Sequence, residues 1–414
     1  MALIRVNRRR ILLVTGVFPP VASSAANLFY ELGLGLSEAG YNVDVLTIKT
    51  DFQLANGEKQ KMRRAFAEMG AMGVYRVSPL FSRRGDLVSR GLNQLGQMIG
   101  LLAAGLGRFR PDAVIVYSPP LPVALAAVLI ARSKRIPVIV NVQDIVPQCL
   151  IELGVLRKNP VLLRVLEMME KYVNSKADIL TVHSEGNRQA IGLKGVTLSK
   201  LKVVPNWADL DAVSPGPKFN PFSIKYGLED KFVASFAGVM GTSQDMRVII
   251  EAARILQNVP KLLFLLVGDG VQKGDVLKWS AGLNNVMLLP PVSREVYPSV
   301  LHSSDVSLAT LKSGVAPAVV PSKILNIMAS GRPVVAAMSM GGEVARILES
   351  ADCGHVVGPG NPHALASVIE NLYQSPEECL RLGSNGRRYA EQHFSRHGAL
   401  KGYLDILDSL GCQA

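Results

Sequence analysis

The chain has 414 residues, 48% hydrophobic and 19% charged, which excludes a disordered or low-complexity protein and suits two α/β domains. Aromatics are only 6% and no nucleic-acid motif occurs, so the formal charge of +12 does not mark a nucleic-acid binder. The charge is divided: residues 1–205 hold 27 Lys and Arg against 14 Asp and Glu, whereas residues 206–414 hold 18 against 19. A basic half, suited to an anionic membrane surface or an anionic substrate, is joined to a neutral one.

Four scattered cysteines (Cys149, Cys353, Cys379, Cys412) lack metal-ligand or disulfide spacing, which fits a reducing cytosolic compartment. The first residues are basic and then apolar, but no small-residue cleavage site follows, so Arg10 to Gly16 is read as a strand rather than a leader. No stretch is expected to span a membrane. Residues 113–131 contain three prolines, and Met98 to Leu106 is too short.

After the first strand comes a small-residue loop, Val17 to Ser24. A helix with Leu28, Leu32 and Leu36 on one face ends at Gly40, and the alternating stretch Tyr41 to Ile48 is a strand. This β-α-β unit opens a doubly wound fold. Residues 51–95 are basic and poorly periodic, so no element is assigned there. Strands resume at Ala113 to Tyr117 and Val138 to Val142. A helix over Leu162 to Val173 and a strand at Ile179 to Val182 follow, and Lys202 to Asn206 closes the half.

Asn206 to Pro221, rich in Pro, Asp and Gly, reads as a linker. The scheme then repeats. The strand Phe232 to Phe236 leads into the loop Ala237 to Ser243, and a helix carries Val248, Ile249 and Ala252. Leu262 to Val267 is a strand that ends in Gly268-Asp269-Gly270, with further strands at Val286 to Leu289 and Val306 to Ala309. Pro321-Ser322-Lys323 opens a helix that buries Ile324, Leu325, Met328 and Ala329; Gly331 and Pro333 end it before the strand Val334 to Ala337. The tail from Pro376 to Leu410 is helical. The boundaries expected are 1–205, a linker 206–221, a second domain 222–390, and a helical segment 391–414 packing back on the first domain.

The residues allow several kinds of chemistry. A loop followed by a helix start aims unpaired N–H groups and partial positive charge forward, and Lys323 adds a full charge, so a phosphate is the natural occupant. The plain alternative is a solvated lysine at a helix start. Asp144 follows a buried strand and is either a site residue or a turn residue. Asp269, between two glycines, either lines a ligand site or makes a tight turn. His183 is read as a hydrogen-bonded structural residue. Asp209-Leu210-Asp211 imitates a metal motif but lies in the linker, and no metal site is expected there.

The ordered set of motifs resembles the bacterial family 4 glycosyltransferases, retaining enzymes of the GT-B fold, over nearly the whole length. It comprises Phe18-Pro19-Pro20, Glu38 to Val43, Gln143-Asp144-Ile145-Val146-Pro147, Val204-Pro205-Asn206, Val267-Gly268-Asp269-Gly270, and Pro321-Ser322-Lys323 through Ala329-Ser330-Gly331-Arg332-Pro333. The resemblance is strongest to the colanic-acid biosynthesis glycosyltransferase subgroup. It implies two doubly wound Rossmann-like domains facing a cleft, the first for an acceptor and the second for a nucleotide sugar. It also implies transfer with retention, no metal and no other cofactor. The residues implied are Asp144 and Gln143 for catalysis. For the donor they are Ser23, Ser24, Gly238, Gly241, Thr242, Gln244, Gly268, Asp269, Ser322, Lys323 and Asn326.

This chain also departs from the family pattern. The family's two glutamates fall at Ala318 and Asn326, and its phosphate-gripping Arg and Lys at Val239 and Gln244. Its glycine pair falls at Ser24 and Ala26, and its usual His is Gln143. Those losses keep two rivals open: a non-catalytic scaffold of the same fold, and another GT-B enzyme such as a sugar-nucleotide epimerase.

The implied partners are a nucleotide-sugar donor, a lipid-linked or saccharide acceptor and an anionic membrane surface, with no nucleic acid. The expected location is the cytoplasm, peripherally on the inner membrane. Residues 59–90 motivate the membrane partner. Lys59, Lys61, Arg63, Arg64, Arg76, Arg83, Arg84 and Arg90 stand against Glu68 and Asp86, interleaved with Phe66, Met69, Met72, Leu80 and Phe81. No continuous amphipathic helix is evident among them.

Overall fold

The computed structural model describes residues 9–21, 23–49, 66–78, 87–152, 160–316 and 318–414. The chain divides into two compact units, Met1–Pro205 with Ala399–Ala414, and Asn206–Gly398.

The first unit is built on eight strands: β1 (Arg10–Thr15), β2 (Asn42–Ile48), β3 (Phe66–Met69), β4 (Met72–Val77), β5 (Ala113–Ser118), β6 (Val138–Val142), β7 (Ile179–Val182) and β8 (Leu201–Val203). Their order is β3-β4-β2-β1-β5-β6-β7-β8, parallel throughout except for the β3–β4 hairpin. β1, β5 and β6 are covered on both faces, which is why they are near-continuous runs of Val, Ile and Leu. The order reverses between β1 and β5, which makes the loops beyond their carboxyl ends the natural place for a ligand.

The stretch 51–95 differs from its sequence reading. Its described part contains β3, β4 and the start of the helix Leu87–Arg108. That helix is one-sided, with Asn93, Gln94 and Gln97 set away from most of its Leu and Ile residues, but five glycines between 91 and 107 lower its helix propensity and hide it from a local reading. Arg76 is likewise no surface cation: it is buried, and its Nη2 donates to the Pro19 carbonyl at 2.8 Å. Met72 is buried and Phe66 is exposed. Lys59, Lys61, Arg63, Arg64, Leu80, Phe81, Arg83, Arg84 and the Arg90 side chain lie outside the described residues.

The C-terminal residues 399–414 belong to this first unit. Tyr403, on the helix Arg396–Ser409, is almost fully buried. Its hydroxyl receives a hydrogen bond from Asn141 Nδ2 at 2.5 Å and lies 3.3 Å from Thr181 Oγ1. Tyr403→Phe leaves Asn141 short of a partner in a dry core. The expected cost is about 1–3 kcal/mol, read as a lower denaturant midpoint with an unchanged slope.

The second unit has six parallel strands: β9 (Phe232–Ala237), β10 (Leu262–Val267), β11 (Val286–Leu289), β12 (Val306–Thr310), β13 (Val334–Ala337) and β14 (Gly354–Val357). The order is β11-β10-β9-β12-β13-β14, reversing between β9 and β12. Residues 206–221, read as a linker, pack into this unit. Ala208 and Val213 are buried against Phe394 and Met328, because the segment carries apolar side chains among its Pro and Asp. Asp209 takes an ion pair from Arg294 at 2.8 Å and caps Ala212 N–H at 3.0 Å, so its carboxylate is structural. Among the described residues, no group of three or more His, Cys, Asp or Glu side chains could hold a metal.

Candidate active site

In the second unit, the loop after β9 lies at the strand-order reversal and is fastened on two sides. Gly238 N–H donates to the Val267 carbonyl at 2.9 Å and Met240 N–H to that of Asp269 at 2.8 Å. Gln272 Nε2 donates to the carbonyls of Gly241 and Gln244. From the other side, Lys312 N–H donates to the Ser243 carbonyl at 2.9 Å and Asp245 N–H to Thr310 Oγ1 at 3.1 Å. Gly238 and Gly268 have φ of 146° and 155°, which disfavour a side chain at either position, and at Gly268 the Gly238 backbone also leaves no room for one.

The helix Ser322–Ala329 points its start at this loop, and Pro321 ahead of it offers no side-chain cap, so no side chain of the N-cap occupies its first N–H groups. Lys323 turns inward. Its Nζ lies 3.7 Å from the centroid of the Phe236 ring and donates to Gln244 Oε1 at 2.9 Å. A Cβ on Gly238 would stand 3.5 Å from the same ammonium. Among the described residues no carboxylate pairs with it, and burial pulls its pKa down from the ordinary lysine value to about 7. This is a desolvated cation resting on a π face and a neutral amide, a seat for a negative charge.

The other expected donor residues divide. Gly238, Gln244 and Lys323 come together, and Gly268 packs its backbone against Gly238. Gly241 lies on the same loop, and Thr242 and Ser322 are exposed at its edge and at the helix start. Asp269 is a turn residue: its exposed carboxylate accepts from Gly270 N–H at 2.8 Å and Lys273 Nζ at 3.3 Å, and those hydrogen bonds hold its pKa below the usual carboxylate value. Asn326 is hydrogen-bonded to the Tyr297 hydroxyl, a phenol that burial pushes up to about 12. The sequence reading missed Phe236 and Tyr297. Phe236 reads as one more strand residue, and Tyr297 lies 29 positions before Asn326 with no motif joining them.

In the first unit, the loop after β6 carries the remaining candidates. Gln143 turns into the protein rather than outward. Its Nε2 donates to Asn141 Oδ1 at 2.7 Å, and its carbonyl lies 3.1 Å from His183 Nε2. The side chain is therefore a brace for the loop, because β6 leaves Asn141 with an acceptor to satisfy. His183 also contacts Asn187 Nδ2 at 2.7 Å, and burial lowers its pKa, so it serves as a neutral structural imidazole. Asp144, next in the chain, is exposed to solvent. The surrounding loop and sheet still remove enough water to raise its carboxyl above the usual range. Ser23 caps the helix Ser24–Glu38 by accepting from Ala26 N–H at 3.2 Å, and Ser24 is exposed on its first turn. Ser23 thus already spends its hydroxyl on the cap.

Comparison with known proteins agrees with this division. A model described as a glycosyl transferase 4-like domain matches residues 25–207, and one described as glycosyl transferases group 1 matches residues 220–389. A protein of Pseudomonas aeruginosa named as a glycosyltransferase, WbjE, is 28% identical over 327 residues, covering 77% of this chain and 80% of its own. WcaI of Escherichia coli, named as a colanic acid biosynthesis glycosyl transferase, is 25% identical over 412 residues, covering 95% and 98%. Among solved structures, Anabaena Alr3699/HepE in complex with UDP superimposes with a TM-score of 0.71 at 18% identity, covering 97% of this chain and all of that one. That likeness is one of fold, the GT-B architecture.

Proposed function

The chain belongs to the glycosyltransferases of the 4-like and group 1 families, and on that premise we propose that it moves a sugar from a nucleoside diphosphate to a lipid-linked or saccharide acceptor in building a cell-surface polysaccharide. The observation that carries this reading is the half-buried ammonium of Lys323, held against the Phe236 ring at the loop after β9 with no carboxylate partner among the described residues. A diphosphate there would receive the Lys323 charge, the partial positive charge of the helix start and the N–H groups of the fastened loop. All three strengthen as negative charge builds on the leaving phosphate. The glycosidic C–O bond to the diphosphate breaks, the acceptor oxygen bonds the same anomeric carbon with retention, and the acceptor proton passes to the departing diphosphate oxygen. In this reading Lys323 supplies the charge that a metal would otherwise bring.

The first unit supplies the acceptor side. Asp144 is oriented by a backbone braced through Gln143, Asn141 and His183, and it would hold the acceptor hydroxyl by hydrogen bond. Gln143 is a positioning residue in this proposal, and Ser23 and Ser24 shape the first loop. A lipid-linked acceptor would draw the enzyme to the cytoplasmic face of the inner membrane.

Asp144→Asn is expected to lower turnover by at least about 100-fold with nucleotide affinity unchanged within twofold. Titration calorimetry with UDP and turnover of labelled nucleotide sugar by membranes would measure the two. Equal losses in both would place Asp144 on the donor side. Nucleotide binding with no turnover in the wild-type protein would favour a scaffold. Thermal shift across a panel of nucleoside diphosphates identifies the base, since a ligand at 100 times its Kd stabilises by about 2.7 kcal/mol.

A further inference from the structure

The helix Leu87–Arg108 presents apolar residues both inward and outward. Its inner side packs Leu101 and Leu102 into the core, and Gly105 lets it approach Ile130 of the helix Leu121–Lys134 closely. Its outer side carries Leu95, Ile99 and Leu106, exposed by 40%, 53% and 40%, at intervals of four and seven residues that align them in one stripe. From 91 to 107 there is no charged residue at all. Asn93, Gln94 and Gln97 lie away from this stripe, so an apolar side is left open to solvent where its residues are described. The helix is also too weakly apolar to cross a bilayer.

Neighbouring elements extend this face. The helix Leu121–Lys134 is buried around almost its entire circumference because the helices Leu87–Arg108 and Pro160–Lys176 both pack on it. All three follow rightward crossovers in the sheet, which puts them on one side of it. The helix Pro160–Lys176 adds Val161 and Met168, exposed by 73% and 59% and seven residues apart.

The charges at the two ends of the stripe are positive, while the neighbouring helix adds an exposed Glu167 beside Met168. Arg90 and Arg108 bracket the uncharged run and Arg110 follows it. Arg108 lies over the Tyr75 ring at 5.2 Å, and Lys134 Nζ reaches the Leu106 carbonyl at 3.0 Å. Apolar residues along the middle of a helix with cations at its ends match the cross-section of an anionic lipid leaflet, where hydrocarbon lies beneath phosphate. A second copy of the same face would set these cations against one another, which argues against self-association there.

We propose that this helix face of the first unit docks on anionic lipid, with the stripe Leu95, Ile99 and Leu106 entering the headgroup layer and Arg108 and Arg110 meeting lipid phosphates. The inference rests on the membrane-surface reading of the acceptor. It assigns the apolar contact to residues 95–106 rather than to the basic segment 59–90.

Sedimentation with vesicles of phosphatidylcholine alone, and with phosphatidylglycerol added to make the surface anionic, tests it on the full chain. Wild-type protein is expected to pellet only with the anionic vesicles. Changing Leu95, Ile99 and Leu106 together to Gln should lower that binding by at least about tenfold. Arg108→Gln and Arg110→Gln should lower it roughly fivefold each. Unchanged UDP affinity and melting temperature would show the variants folded. An Ile99→Trp variant, whose added emission is quenched by brominated lipid, would report insertion at this position independently of affinity.

Wild-type protein that ignores both vesicles would overturn the membrane reading itself. Wild-type binding that survives the triple change would leave that reading standing and overturn this assignment. Loss of a solution dimer by the triple variant, without vesicle binding by the wild type, would make the face an interface between copies instead.

Discussion

Lys323→Met is expected to make the ligand-free protein more stable while lowering nucleotide affinity roughly 10- to 100-fold. Lys323 Nζ is desolvated against the Phe236 ring with only the Gln244 amide oxygen as a hydrogen-bond acceptor, so the folded state disfavours its charged form. Methionine has similar length and needs no partner, and replacing a poorly compensated buried charge with it stabilises by about 1–4 kcal/mol. Nucleoside diphosphate would lose a charged hydrogen bond of about 1.5–3 kcal/mol, so UDP affinity falls roughly 10- to 100-fold. A variant that is both less stable and equally tight for UDP would show that Lys323 is an ordinary structural lysine.

The same residue sets a pH dependence. Its folded pKa of about 7 lies below the ordinary lysine value of 10.5, so between those values the unfolded chain binds more protons. Ligand-free stability therefore rises from pH 7 toward pH 10 on account of this group, and the full destabilisation is present below pH 7. Binding a diphosphate requires the protonated ammonium, so affinity is flat below about pH 7. Above it, affinity falls toward tenfold per pH unit until the pKa of the bound state is reached. Lys323→Met should remove both slopes. Calorimetry of UDP binding and denaturant melts from pH 6 to pH 9.5 (roughly the span between the two pKa values) would record them.

Gly268→Ala is expected to damage the second unit severely. At φ 155° an L side chain is strained, and its Cβ would collide with the Gly238 carbonyl oxygen, which is backbone and cannot rotate aside. The loops after β9 and β10 would have to separate, breaking the bonds from Gly238 N–H to Val267 and from Met240 N–H to Asp269. Overpacking of this kind costs about 1–3 kcal/mol, and the strained φ adds about 1–3 kcal/mol. Nucleotide binding should be lost with it, because the same loop holds Gln244 against Lys323. A conservative change at the exposed neighbour, Asp269→Asn, should cost less than about 0.5 kcal/mol. If Gly268→Ala melts within two degrees of wild type and still binds UDP, the packing of these two loops is not what shapes the site.

The two-unit α/β architecture was legible in the chain because its buried strands are short apolar runs bounded by Gly and Pro. The helix after Pro321 likewise carries its stop in Gly331 and Pro333. Lys323 could be placed at a helix start from its neighbours alone. Local signals ended where partners lay far apart in sequence. Only the fold brings Phe236 under Lys323, 87 positions away, and turns an exposed-looking cation into a desolvated one. Only the fold sends Gln143 inward to Asn141, and Asn141 to Tyr403 in the last helix, so that an expected catalytic amide becomes a brace. Arg76 counted as surface charge by sequence and is buried, because its strand partner and the Pro19 carbonyl are set by sheet order rather than by local pattern. Periodicity reports which face of one element is apolar. It cannot report which distant side chain will meet that face, or that the helix at 87–108 would be left with an apolar side uncovered.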